Sequence, residues 1–381
     1  MRSAMSGALK ARPVLVVGAG VAGLTAAIAL ARRGADVTVL ERASTIREVG
    51  AGLQISPNAM RVLAALGLRE AMQPVSLRSH AIQLRDSAGA AVARLDLIRH
   101  RPAAEFRLIH RARLIGLLAR AAAAAGVRIR LDSPVSEVPP DAPLVIGADG
   151  LHSVVRPALN GRAVPFFTHQ TAWRMLIPDD GSAVPEAQIF MGAGRHLVSY
   201  PLAGGLRNIV AVQERSAWQE EGWSRQDDPA NLRAAFADFG GPVQAWLSAV
   251  AETHVWGLFR HEVAPRWQDG RCALIGDAAH PTLPFLAQGA VMAIEDAWVL
   301  AACLDADPDQ AAALARFETL RRPRTTRIVA AADANARNYH LTGPRRQVAH
   351  GLLRAASLLA PGRLLRRYDW LYDHDPTALE P

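Results

Sequence analysis

The chain has 381 residues, 50% of them hydrophobic, and a formal charge of +8. That length fits one large domain or two interleaved ones, and the apolar share is ample for a packed interior. The charge excludes no small anion but does not resemble a nucleic-acid footprint, because Lys10 is the only lysine and arginines such as Arg120 and Arg233 are scattered along helical stretches. Two cysteines, Cys272 and Cys303, sit in apolar patterns, so no disulfide framework is expected and a reducing cytoplasm is the expected compartment.

In chain order, residues 1 to 11 read as a loose leader. Val14 to Ala31 is long and apolar enough to suggest a membrane span, yet Gly18, Gly20 and Gly23 punctuate it. The β-branched run Val14–Val17 followed by alanine-rich sequence predicts a strand, a tight turn and a helix Leu24–Arg33. Gly34 is its C-cap, and a strand Asp36–Leu40 completes a βαβ unit, hence a parallel sheet. Ser56 as N-cap and Pro57 at the first position predict a helix Pro57–Leu66, closed by Gly67. Residues 80 to 98 alternate as a hairpin turning at Ser87-Ala88-Gly89. Then come a helix Ala112–Ala125, a strand Val127–Leu131 and a buried strand Leu144–Ile146.

From Val164 to Val263 the pattern becomes short strands: Thr171–Ile177, Ala187–Met191, His196–Pro201 and Asn208–Gln213, followed by one helix, Pro229–Phe239. A buried strand Cys272–Ile275 returns to the earlier style, and helices follow, broken at Pro308, Pro323, Gly343-Pro344 and Pro361-Gly362. The fold class is therefore α/β. A nucleotide-binding domain (12–78, 101–163 and 265–305) is interrupted by a sheet-based substrate domain (79–100 and 164–264) and followed by C-terminal helices (306–381).

Gly18-Ala19-Gly20-Val21-Ala22-Gly23 fits G-x-G-x-x-G between a strand and a helix. The first glycine makes the turn, the second lets a pyrophosphate approach, and the third permits close helix–strand packing. The helix N-terminus offers N–H groups and a positive dipole end. Glu41 ends the next strand about 20 residues on, where an acid accepts from ribose hydroxyls.

Four further segments carry a family resemblance: Gly50-Ala51-Gly52-Leu53-Gln54-Ile55-Ser56-Pro57-Asn58; His110-Arg111; Gly147-Ala148-Asp149-Gly150-Leu151-His152-Ser153; and Gly276-Asp277-Ala278-Ala279-His280-Pro281. The last continues through Pro284–Ala290 to Ile294-Glu295-Asp296-Ala297. In order and spacing they resemble the group A flavoprotein monooxygenases, the class of salicylate hydroxylase, 3-hydroxybenzoate 6-hydroxylase and 6-hydroxynicotinate 3-monooxygenase. The resemblance implies a Rossmann-like FAD domain of the p-hydroxybenzoate hydroxylase type. It further implies NADH or NADPH as a transient reductant, and dioxygen delivered through a C4a-hydroperoxyflavin to an aromatic, phenolic or N-heteroaromatic ring. It assigns Asp277 to a ribityl hydroxyl, Arg111 to the pyrophosphate and ribityl chain, Asp149 to FAD and nicotinamide binding, and the turn from Pro284 to Gly289 to the flavin pyrimidine edge. Ala22, Arg42, Gln54, Val135 and Ala290 join the cofactor set by the same resemblance. One departure is Arg113, where the family often has an acid; another is the irregular stretch Phe259–Val263.

Hydroxylating a phenol calls for a group that helps ionise its hydroxyl. His196 and Tyr200 are the catalytic candidates, since their spacing puts both, with Val198, on one face of a strand. The plain alternative is that they cover a half-buried sheet. Phe285 is a candidate packing wall for the substrate ring, and Arg174, in Trp173-Arg174, a candidate carboxylate partner; His280 reads as structural. No metal site, nucleic acid or membrane partner is expected, and the chain reads as a monomer or homodimer. Competing readings are a flavin oxidase or dehydrogenase, an epoxidase or Baeyer–Villiger enzyme, and a membrane-surface protein using the basic tail Arg345 to Arg367.

Overall fold

Three sheets organise the chain in this computed structural model, which describes residues 7–46, 52–217 and 226–378. The first is parallel, with strand order Cys272–Leu274, Val145–Gly147, Pro13–Val17, Asp36–Leu40, Arg128–Arg130. The helix Val21–Ala31 leaves its central strand, and every residue from Val21 to Leu30 is buried. A helix apolar all round must be covered all round. Here the sheet and the helices Arg111–Ala124 and Gly289–Ala306 cover it, which explains the span-like run in the sequence. Among the described residues no helix is long and apolar enough to cross a membrane.

The second sheet has eight strands, in the order Gln226–Asp227, Thr253–Arg260, Phe166–Pro178, Leu206–Glu214, Arg195–Leu202, Glu186–Gly192, Ala81–Asp86, Ala91–Asp96. Its pairs are antiparallel except that Glu186–Gly192 runs parallel to Ala81–Asp86. Period-2 alternation splits it into two faces. Trp173, Met175, Phe190, Leu197 and Ile209 face the helices Pro229–Ala235 and Val243–Ser248. Ala172 and Arg174, Val212 and Val210, and His196 and Val198 share the opposite face by cross-strand register, with Tyr200 one pair further on. A third sheet, Gly52–Ile55, Arg107–His110 and Ser76–Arg78, bridges the first two. Gly52 has no room for a side chain there: a Cβ would lie 2.5 Å from the Tyr200 ring, and its N–H donates to Asn208 Oδ1 at 2.7 Å.

Several expectations need correction. Residues 8–11 form a turn with Leu9 fully buried, not a loose leader, while residues 1–6 lie outside the described residues. The first helix starts at Val21, since its N-terminal turn includes the glycine motif itself. Ser56 holds the N-cap position but caps nothing; its hydroxyl bonds Asn58 Oδ1 at 2.6 Å. Where one helix was expected after Pro229, two occur, followed by the strand Thr253–Arg260, which extends into the stretch read as irregular. The bridging sheet was not anticipated at all, because its strands are three or four residues long. Pro323 does not break the helix Gln310–Tyr339. It forgoes one hydrogen bond, but Arg321 and Arg324 on either side are locked to buried carboxylates that hold the helix in place. In the tail, Leu364 and Leu365 pack into the core, whereas Val348, Leu352, Leu358 and Leu359 stay exposed.

Candidate active site

Because the first sheet is parallel, the segments that follow its strands gather at one edge, the place where open α/β sheets bind ligands. Gly18 has φ +102°, and a Cβ on it would lie 2.6 Å from the Ala148 carbonyl oxygen. A Cβ on Gly23 would lie 1.9 Å from the Gly18 carbonyl oxygen, so the helix rests directly on the strand end. Gly20 is different. A Cβ there would meet nothing within 4 Å, and no side chain caps the helix. Bare backbone with open space at a helix N-terminus fits a pyrophosphate.

The Glu41 carboxylate accepts from the Ala19 N–H at 2.7 Å and the Ala43 N–H at 2.9 Å. It thus clasps the glycine turn to the second strand, and each oxygen keeps lone-pair capacity for a further donor. Val135 follows the edge strand Arg128–Arg130, whose extension donates from Ser133 N–H to the Glu41 carbonyl at 2.9 Å. Arg42 is exposed beside it.

Asp149 Oδ2 accepts from Val154 N–H at 2.7 Å, while its Oδ1 is buried with no hydrogen-bond partner among the described residues. Burial raises the Asp149 pKa, opposed by Ser153 and backbone donors. Asp277 is accessible to solvent, yet protein crowds it closely enough that desolvation raises its pKa, opposed by His280, Arg111 and Arg174. Arg174 is brought down to about 10, first by desolvation and then by the Arg111 charge. Its guanidinium lies 4.8 Å from the centre of the Trp256 ring.

The segment Pro284–Leu286 is a single 3-10 turn, and Ala287 adopts a left-handed conformation at φ 53°. This strained junction lets the helix Gly289–Ala306 start without a capping side chain. The helix Gln310–Tyr339 anchors the turn, since Asn335 Nδ2 and the Tyr339 hydroxyl both donate to the Phe285 carbonyl. On the other side Gln54, Leu286, Ala287 and Gln288 help line a narrow cleft. Phe285 itself packs with Ala172, Val212, Trp256, Leu258 and Leu283, an apolar wall between the turn and the large sheet.

His196 is buried against that wall, its ring 5.1 Å from Phe285 and 5.3 Å from Tyr339. Its Nδ1 lies 2.7 Å from His340 Nε2. Burial, then the neighbouring His340, hold its pKa well below the ordinary imidazole value, so it is neutral. Tyr200 is buried, and desolvation raises its pKa despite the Arg174 charge, so it stays a phenol. Beneath the turn lies a buried ion cluster. Asp296 accepts from Arg321 Nε at 2.8 Å and pairs with His280, while Glu295 pairs with Arg321 at 2.7 Å and Arg324 at 2.9 Å. Asn58 donates to Glu295 at 2.6 Å, and Gln288 donates to Ser56 at 3.1 Å. The cluster ties the turn to the helix Pro57–Ala65 and explains His280 without a chemical role.

A family model described as the FAD binding domain matches residues 11–141 and 136–332. The chain belongs to this family. It is 38% identical to a 3-amino-4-hydroxybenzoate 2-monooxygenase of Streptomyces platensis, over 94% of this chain and 95% of the relative. It is 31% identical to a 3-hydroxybenzoate 6-hydroxylase of Klebsiella oxytoca, over 95% of this chain and 97% of that one. Klebsiella pneumoniae HpxO, solved with FAD and uric acid, superposes with a TM-score of 0.81 at 26% identity, covering 93% of this chain and 95% of that chain. This family member is a single-component FAD-dependent aromatic monooxygenase that uses NAD(P)H and dioxygen.

In the monooxygenase, Gly18, Gly20, Ala22, Gly23, Glu41, Asp149 and Asp277 converge on the parallel-sheet edge, while Pro284, Gly289 and Ala290 sit on the adjoining turn and helix. Electrostatic coupling joins Arg111 and Arg174 to Asp277, and Tyr200 to Arg174. Sequence reasoning missed Trp256, His340 and Glu214. Only the long-range pairing of strands and helices reveals them. Gly50 and Ala51 lie outside the described residues.

Proposed function

We propose that the substrate is a hydroxybenzoate bearing an adjacent amino or hydroxyl group, close to the 3-amino-4-hydroxybenzoate named for the Streptomyces relatives. The observation that carries this reading is the register that sets Arg174 and His196 on one sheet face, opposite the Phe285 wall. They are two strands apart and one residue pair apart along the strand, which on ordinary sheet spacings puts their Cα atoms about 12 Å apart. On this reading one six-membered ring spans the interval between the guanidinium and the imidazole. Arg174 takes the carboxylate, Trp256 and Phe285 sandwich or flank the ring, and neutral His196 accepts the phenol proton. Tyr200, held protonated and wedged against Gly52, orients rather than deprotonates.

In the same reading the domain boundaries are those expected from the sequence. Gly18, Gly20, Ala22, Gly23, Glu41 and Arg42 hold the adenosine and pyrophosphate. Arg111, Val135, Asp149 and Asp277 hold the linking chain, and Gln54, Pro284, Gly289 and Ala290 hold the flavin ring. Bound FAD supplies the redox and dioxygen chemistry. The chain's own tasks are to fix the ring, exclude water with the apolar wall and move the phenol proton.

Removing the Arg174 guanidinium separates this reading from others. R174M is expected to raise KM for 3-amino-4-hydroxybenzoate about 10- to 100-fold, the worth of a charged hydrogen bond. KM for 2-aminophenol, which lacks the carboxylate, should change little. Steady-state NADH oxidation with both compounds checks it, and an equal effect on both would reject Arg174 as the carboxylate partner.

A further inference from the structure

The His196–His340 contact does not end at His340. His340 Nδ1 lies 2.7 Å from Glu214 Oε1, and the Glu214 side chain is 52% exposed against 2% for His340. A continuous line of hydrogen bonds therefore runs from the buried sheet face to bulk solvent. The turn at Gly194 fixes its parts, since its N–H donates to the His340 carbonyl at 3.4 Å and its carbonyl accepts from Glu214 N–H at 2.8 Å.

The bond order in this line has a single consistent polarity. The Glu214 carboxylate only accepts, so His340 donates from Nδ1 and presents a lone pair at Nε2. His196 then donates from Nδ1 to that lone pair, and its own Nε2 is left as an acceptor. We propose that His340 and Glu214 form a proton path that carries the substrate's phenolic proton from His196 to solvent. The proposal rests on the reading of His196 as the group facing the phenol. In the transfer, the phenol O–H breaks as a His196 Nε2–H forms. His196 Nδ1–H passes to His340 Nε2, and His340 Nδ1–H passes to the Glu214 carboxylate. Phenolate and a neutral carboxylic acid result, with both imidazoles neutral in the other tautomer. Glu214 then releases its proton to water. Returning a proton to the product phenolate by the reverse route resets both tautomers.

His340 suits a transit role. It sits at the C-terminal end of the helix Gln310–Tyr339, where the dipole favours a transient positive charge. The titratable groups against it are Glu214 and His196, and the Tyr339 ring packs on His196. Burial lowers its pKa and Glu214 opposes that, so it rests neutral, with one ring nitrogen donating and the other accepting.

The test is proton release when FAD-loaded enzyme binds 3-amino-4-hydroxybenzoate, followed by stopped flow with an indicator dye in weak buffer. E214Q keeps an acceptor for His340 but cannot take the proton. It and H340F are expected to slow release about tenfold or more, with flavin content and ligand affinity within about twofold of the parent. Added imidazole should restore the rate in H340G, which a merely structural defect would not allow. Wild-type release rates in E214Q and H340F alongside slow release in H196A would overturn the path and leave the His196 reading standing. Undiminished release in H196A as well would overturn both.

Discussion

A Gly23→Ala protein is expected to emerge without flavin and to melt at lower temperature than the parent. The new methyl would sit 1.9 Å from the Gly18 carbonyl oxygen, a backbone atom that cannot step aside without moving strand and helix apart. Overpacking of this kind costs about 1–3 kcal/mol. FAD affinity should fall at least about 100-fold, some 2.7 kcal/mol, because the helix end and the turn lose their common geometry. Gly20→Ala separates the two effects. Gly20 has φ −76°, which alanine adopts freely, and its Cβ would enter open space. The flavin-free protein should therefore melt as the parent does while still taking up FAD poorly. Thermal melts of apoprotein and flavin titration check both variants.

The second large effect is expected at Arg321, fully buried between Glu295 and Asp296. Arg321→Met leaves Glu295 with Arg324 alone and Asp296 with His280 alone in the interior, and breaking buried ion pairs this way costs about 3–5 kcal/mol. The pH dependence follows from the depressed acids. Burial by itself would raise both, but Arg321 and Arg324 bring Glu295 to about 2, and His280 and Arg321 bring Asp296 to about 2. Their folded pKa values lie below the unfolded values of roughly 4. Their stabilisation is thus fully present above about pH 5 and is lost as the pH falls through 4 toward 2. In the variant the same carboxylates are better off protonated. Denaturant melts should show the widest gap between parent and variant near neutrality, narrowing below about pH 5.

The cofactor half was legible because its information is local. Strand, glycines, helix and terminal acid lie within one stretch from Pro13 to Glu41, and Gly18 and Gly23 each answer to a contact only a few residues or one strand away. The parallel sheet followed from the same unit. The three-stranded bridge was not legible, since strands of three or four residues carry no usable period. Pro323 misled for a related reason: the local rule for proline was outweighed by ion pairs to Glu295 and Asp296 on another helix. Alternation along one strand put His196 and Tyr200 on a common face, but it gave no sign that their surroundings differ. Tyr200 is jammed beneath Gly52, whereas His196 meets a partner 144 residues away in sequence. That partner and Glu214 carry no motif. Only the packing of the long C-terminal helix against the large sheet brings them into line.

The account stands on the flavin inserting one atom of dioxygen into an aromatic ring held against the His196 face. Turnover of FAD-loaded enzyme with NADH or NADPH, 3-amino-4-hydroxybenzoate and isotopically labelled dioxygen, read by mass spectrometry, tests that directly. The expected product carries one labelled oxygen on the ring, with one reduced nicotinamide consumed per product. Label appearing only in peroxide or water, with the ring unlabelled across a panel of phenolic acids, would contradict it.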